Sequence, residues 1–204
     1  MKINFHYVHN IIIRKCKQYP FIKDQIQKNG VLVIKKQRID FFSFLIKTII
    51  SQQISDKAAE SIWKRFCFEF EPKKISFKNI KNLKFLENIL EKIKISNQKK
   101  SYICNIYEDL ISNSLDTKSL SKMDENLFRL ILTKYNGIGP WTCDMLLIFF
   151  FQKLNIFPEQ DLIIKKMINH IESKENQGID FRKNFSPFLS ILSLHFWKMS
   201  KRVL

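Results

Sequence analysis

Apolar side chains recur at helical spacing in nearly every segment of this chain, while signals for strands and tight turns are few, so the pattern predicts an all-α protein. The stretch Phe41 to Ile50 places Phe42, Leu45, Ile46, Ile49 and Ile50 on one side of a helix. After the polar Ser51-Gln52-Gln53, Ser55 is placed to cap a second helix carrying Ala58, Ala59, Ile62 and Phe66, with Asp56 favourably set in its first turn. A third runs from Ile80 to Ile93 through Leu83, Leu86 and Leu90. Ser96 then caps a fourth bearing Tyr102, Ile103, Ile106 and Leu110, and Asp124 opens a short one through Leu127, Leu130 and Ile131.

Glycine is rare, with 4 in 204 residues, and two of them share the tetrapeptide Gly137-Ile138-Gly139-Pro140. It separates the helical pattern ending near Lys134 from a new one running from Trp141 to Phe151, which is a helix–hairpin–helix outline. Two glycines one residue apart let a backbone turn tightly, and the exposed N–H groups with the positive end of the next helix form an anion site. A duplex phosphate suits such a site without any base contact. An ordinary turn between two helices is the other reading, and spacing alone does not separate them. The apolar Ile138 can pin the hairpin into the core.

Beyond Phe157-Pro158, Asp161 precedes a helical run from Leu162 to Ile171, where it can serve as a plain N-cap or as a carboxylate beside a substrate pocket. Asp144, within the Trp141 helix, reads as a surface or hairpin-stabilising residue. Of the 19 Phe, 5 Tyr and 3 Trp, most belong to the core. Trp141 stands apart, because a large ring immediately past the hairpin either packs inward or walls a cavity that stacks a base.

The chain carries 35 Lys plus Arg against 19 Asp plus Glu, a formal net charge of +16. Abundant Lys, Ile, Asn and Phe also match the bias of an A+T-rich genome, but a field of this size attracts phosphates and weakens with salt, which makes nucleic acid the leading partner. No apolar run approaches a membrane span, and His6, His9 and Asn10 interrupt any leader-like segment, so no membrane partner and an intracellular location are expected. Cys16, Cys67, Cys104 and Cys143 are scattered without metal-ligand spacing, which predicts reduced core residues, no zinc and no iron–sulfur cluster.

Three separated motifs resemble the helix–hairpin–helix (HhH-GPD) DNA glycosylase superfamily, within it the DNA-3-methyladenine glycosylase II group. The first is Ile50-Ser51-Gln52-Gln53-Ile54-Ser55 followed by Lys57-Ala58-Ala59. The second is Gly137-Ile138-Gly139-Pro140-Trp141-Thr142-Cys143-Asp144-Met145, followed by Phe157-Pro158 and Asp161-Leu162. The third is Phe185-Ser186-Pro187-Phe188 with Ser190 and the ending His195-Phe196-Trp197. Together they run in the family's order from about residue 41 to the end, and the second is the most specific.

The resemblance implies a two-lobed helical fold with the active site in the cleft between lobes. One lobe is expected over 41–152, with the helix–hairpin–helix at about 124–151, and the other over 1–40 plus 153–204, with Asp161 at the junction. It implies hydrolysis of the N-glycosidic bond of alkylated purines in duplex DNA by base flipping; a monomer is expected. Asp161 matches the catalytic carboxylate and Trp141 a pocket aromatic. Gly137, Gly139 and Thr142 match the phosphate-binding hairpin, and Gln53 matches a wedge that fills the gap left by the flipped nucleotide. Carbonyls of Thr133, Tyr135 and Ile138 match a Na+ or K+ site, and no cofactor is required. The bifunctional relatives carry a nucleophilic Lys where Trp141 stands, so base release without strand cleavage is expected.

The chain departs from the pattern at Cys143, in place of Ala, at Phe185, in place of Trp, and at Leu189, in place of Arg. It also looks like a compact version, without the N-terminal β-domain of some members. Competing readings are a non-catalytic helix–hairpin–helix DNA-binding module, which has no use for Asp161 or a pocket-facing Trp141, and a monofunctional glycosylase for another damaged base.

Overall fold

The structure, a computed structural model, describes residues 3–71, 74–112 and 117–204, and among them every regular element is helical. In chain order these are α1 (Phe5–Lys15), α2 (Pro20–Asn29), α3 (Phe41–Ser51), α4 (Asp56–Phe68), α5 (Leu83–Lys92), α6 (Asn97–Ile111), α7 (Thr117–Leu120), α8 (Glu125–Leu132), α9 (Pro140–Met145), α10 (Leu162–Glu175), α11 (Phe181–Phe185) and α12 (Leu189–Val203). The fold is all-α. No helix among the described residues is long and apolar enough to cross a membrane.

Four capping residues read from the sequence form the bonds expected of them. The Ser55 and Ser96 hydroxyls accept from the amides of Ala58 and Lys99, and Asp124 accepts from Asn126 and Leu127. Asp161 caps α10 in the same way. Each satisfies donors that the first helical turn leaves without partners, worth about 1 kcal/mol per cap. The helix expected from Ile80 starts instead at Leu83, because the Asn82 side chain caps it through the Phe85 amide at 2.8 Å and a 3₁₀ turn, Phe77–Asn79, precedes it. The helical run expected from Trp141 to Phe151 is α9 followed by a π-helical turn, Leu146–Phe150.

The chain forms two compact units, residues 1–36 with 147–204 and residues 37–146. The boundaries thus fall at 36/37 and 146/147, earlier in each case than the 40/41 and 152/153 of the sequence reading. The difference at the second arises because Leu147 and Ile148, in the π-helical turn, are buried in the unit that also holds α10 and α12.

In the unit of residues 37–146, α3 is central. Nine of its eleven residues are buried, including Phe41 and Phe44, which lie off the face picked out by periodicity. α4, α6 and α9 all pack against α3, so it is covered on more than one side. In the other unit, α10 and α12 pack on each other and on α2, around Ile22, Ile26, Ile164, Met167, Ile171, Leu192, Phe196 and Met199, all wholly buried. Phe185 is also buried, stacked on Phe181, and Leu189 is buried as well, so two of the departures from the family pattern are apolar core residues. Cys16, Cys104 and Cys143 are buried and Cys67 is half-buried; all four are free thiols. Burial pushes Cys16 up to about 12, and Cys104 and Cys143 up to about 11, which keeps them protonated and inert.

Candidate functional site

Asp161 is held by both its own helix and a distant one. Its Oδ1 accepts from the amides of Ile163 at 2.9 Å and Ile164 at 3.0 Å, and also from the indole Nε1–H of Trp197 at 3.1 Å. The Trp197 ring lies against Phe149, with centroids 5.7 Å apart. Asp161 is half-buried, and the next residue, Leu162, is 74% exposed, so the carboxylate stands at the rim of its unit beside an open apolar side chain. The loop leading into Asp161 is anchored by Ser190 of α12. Its wholly buried hydroxyl donates to the Lys153 carbonyl at 2.7 Å and accepts from the Ile156 amide at 3.0 Å, while its own amide donates to Leu154.

The hairpin lies in the other unit, between α8 and α9. α8 closes with the Tyr135 amide donating to Leu132, and the Ile138 amide turns back onto the Tyr135 carbonyl at 3.0 Å. Gly137 has φ +86°, which glycine adopts freely, and a Cβ there would overlap the Tyr102 ring of α6. Gly139 is extended, with open space where a Cβ would stand, so only the first glycine is demanded by the turn. Ile138 is buried and pins the turn as expected. Pro140 occupies the first position of α9, and the first intrahelical bond comes from the Cys143 amide to the Gly139 carbonyl, leaving the Trp141 and Thr142 amides ahead of it.

Two polar contacts brace this hairpin. Arg129 of α8 reaches Asp144 of α9 at 2.5 Å, and Asp144 is buried. Of the two roles read for Asp144, surface and hairpin-stabilising, the second is the observed one. Gln52 donates from Nε2 to the Gly137 carbonyl at 2.8 Å and to the Thr142 hydroxyl at 3.0 Å. Thr142 is therefore buried, with its side chain engaged inside the protein. The hydroxyl of Thr142 is thus occupied by Gln52, while its backbone amide lies in the first turn of α9.

Gln53 is exposed, in the left-handed conformation at φ +57°, on the turn between α3 and α4, with Ile54 exposed beside it. Trp141 is half-buried on the first turn of α9. The carbonyls of Thr133, Tyr135 and Ile138 belong to the turn after α8. A neutral, all-oxygen backbone set of this kind suits a hard alkali cation and not zinc, and the Tyr135 oxygen keeps a lone pair beyond the one that accepts Ile138.

Within each unit the structure thus assembles sequence-distant residues, Asp161 with Trp197 and Ser190, and Gln52 with Gly137 and Thr142. Sequence reasoning missed the parts played by Trp197, Ser190, Gln52 and Tyr102. Gln52 and Trp197 stood inside the recognised motifs, but nothing in local spacing tells which partner a side chain reaches 36 or 90 positions away.

Comparison with known proteins identifies the family. The chain is 32% identical over 169 residues to the DNA-3-methyladenine glycosylase of Saccharomyces cerevisiae, covering 77% of this chain and 56% of that protein. It is 26% identical over 169 residues to a putative DNA-3-methyladenine glycosylase of Bacillus subtilis, covering 77% and 58%. It therefore spans little more than half the length of these two relatives. A solved 3-methyladenine DNA glycosylase of Schizosaccharomyces pombe, in complex with abasic DNA, superposes with a TM-score of 0.71 at 22% identity over 91% of this chain and 92% of that one. The HhH-GPD family model, described as that of a superfamily of base excision DNA repair proteins, matches residues 46–186. With its glycine hairpin, capped Asp161 and all-helical units, the chain belongs to the HhH-GPD superfamily of base excision DNA repair proteins.

Proposed function

We propose that the protein is a monofunctional DNA glycosylase that hydrolyses the N-glycosidic bond of alkylated purines, of the 3-methyladenine class, in duplex DNA. The observation that carries this reading is Asp161: a carboxylate fixed by two backbone amides and an indole N–H at the edge of its unit, in the position the family motif reserves for catalysis. A plain cap needs the amides but has no use for the Trp197 bond.

The chemistry asks little else of the protein. An alkylated purine with positive charge leaves as a neutral base, taking the electron pair of the bond to C1′. The sugar passes through an oxocarbenium-like state that the Asp161 carboxylate stabilises electrostatically. Water, oriented by the same carboxylate, adds to C1′ and gives up a proton, leaving an abasic sugar and an intact strand. Trp141 offers a ring on which the extruded base stacks, and having no amine it forms no Schiff base, so no lyase step follows.

Backbone amides of the Gly137–Thr142 hairpin grip a phosphate without reading sequence, and Gln53 enters the gap in the duplex. A Na+ or K+ ion held by the carbonyls of Thr133, Tyr135 and Ile138 would add positive potential at that grip. The net charge of +16 steers DNA to the protein. The protein is proposed to act as a monomer on damaged duplex DNA inside the cell.

The test is chromatography of free bases released from methylated duplex DNA, with a gel that reports strand nicks. Release of 3-methyladenine with unbroken abasic strands is the expected result. Tight, salt-sensitive binding with no base released would instead make the protein a non-catalytic helix–hairpin–helix module or a glycosylase for another lesion.

A further inference from the structure

We propose that Gln52 and Lys99 are positioning residues that lock the exposed Gln53–Ile54 turn to the glycine hairpin, so that the residue filling the gap in the duplex and the backbone gripping its phosphate act as one body. This deepens the glycosylase reading and rests on it.

The observations come from three segments of one unit. α3 ends at Ser51, and the chain reverses through Gln53, a non-glycine residue in the left-handed region at an exposed tip. Such a conformation is costly and persists where the surroundings over-determine it, which is common at functional sites. Lys99 of α6 supplies part of that constraint. Its Nζ donates to the Ile50 carbonyl at 2.9 Å and the Gln52 carbonyl at 2.8 Å, satisfying acceptors that the end of α3 exposes. Burial lowers the pKa of Lys99 from its usual value, a cost accepted for this capping.

Gln52 supplies the rest. Its backbone carbonyl is held by Lys99 while its side-chain amide reaches the Gly137 carbonyl and the Thr142 hydroxyl. One turn along α6 from Lys99, the Tyr102 ring covers Gly137, with its hydroxyl accepting from Gln98 at 2.5 Å. A single helix thus holds both the gap-filling turn and the hairpin, and Gln52 ties the two directly. A hydrogen-bonded brace of this kind fixes the spacing between two DNA-contacting backbones, as a preorganised site requires.

The test compares binding to a duplex containing a tetrahydrofuran abasic analogue with binding to the same duplex intact, well below the melting temperature of each variant. The parent is expected to prefer the abasic duplex. Gln52→Met and Lys99→Met each lower that preference about tenfold, the worth of one strong hydrogen bond, and the double variant loses less than the product of the two. Lys99→Arg, which can still donate to both carbonyls, restores most of the preference. Variants that melt earlier yet keep the parental preference would reduce Gln52 and Lys99 to fold stability and overturn the proposal. A parent that binds both duplexes equally would instead defeat the glycosylase reading, and the positioning role would go with it.

Discussion

The indole N–H of Trp197, in the last helix, donates to Oδ1 of Asp161 at 3.1 Å, tying the candidate catalytic carboxylate to a residue 36 positions away. The same oxygen takes the two capping amides, so three donors hold Oδ1 in place. Trp197→Phe keeps the ring against Phe149 and removes only the donor. Loss of one hydrogen bond to a charged group is worth about 1.5–3 kcal/mol, so kcat for base release should fall about 10- to 100-fold. Single-turnover kinetics with saturating enzyme checks this. Affinity for an intact duplex should stay within about twofold of the parent, since the indole is read as acting on the carboxylate alone.

Asp161 has two duties, and substitution can separate them. Asn caps helices as well as Asp does, so Asp161→Asn should melt within a few degrees of the parent while releasing no base. Asp161→Ala loses both, and its stability should fall by about 1 kcal/mol besides. Thermal melts and base release run side by side distinguish the pair. An Asp161→Asn protein that released bases at the parental rate would sink the proposed mechanism.

How far the sequence showed all this depends on the range of each interaction. The caps at Ser55, Ser96, Asp124 and Asp161 were legible because a cap is a contact over two or three residues. The hairpin was legible because glycine is scarce and Gly137 occupies a conformation that side chains resist. Thr142 was legible as part of the hairpin, but its motif position says nothing of the Gln52 amide that engages its hydroxyl. The burial of α3 beyond one face was also hidden, because periodicity reports a single face and α3 is packed on several. Trp197 and Lys99 depend on tertiary placement alone, which no local pattern encodes.

Acid should destabilise the protein through His195. The residue is wholly buried, its Nδ1 accepts from the Asn29 amide at 3.1 Å, and burial, with His9 and Lys198 adding to it, pulls its pKa down to about 3. The unfolded chain takes up a proton near the ordinary histidine value of 6.5 while the folded chain does not. Stability is therefore undiminished above that value and falls as the pH drops from 6.5 towards 3. At pH 5 the loss from this one group is about 2 kcal/mol relative to neutral pH. Urea unfolding at pH 7 and pH 5 measures it, and His195→Phe should show a pH dependence smaller by that amount.

The two hairpin glycines should fail in different ways. Gly137 sits at φ +86° beneath the Tyr102 ring, so Gly137→Ala forces both backbone strain and displacement of the ring, together about 2–5 kcal/mol. Its loss of DNA binding would then follow from a disturbed hairpin. Gly139 is extended and exposed with nothing in the path of a Cβ, so Gly139→Ala should fold and melt like the parent. Any loss of DNA affinity in Gly139→Ala must come from the added methyl group keeping a phosphate away from the backbone. A uniform drop of about tenfold across unrelated duplex sequences, without a change in melting temperature, is the expected result, because a phosphate contact carries no sequence information. Unchanged affinity in Gly139→Ala would place the phosphate grip elsewhere on the protein and leave Gly137 with a folding role alone.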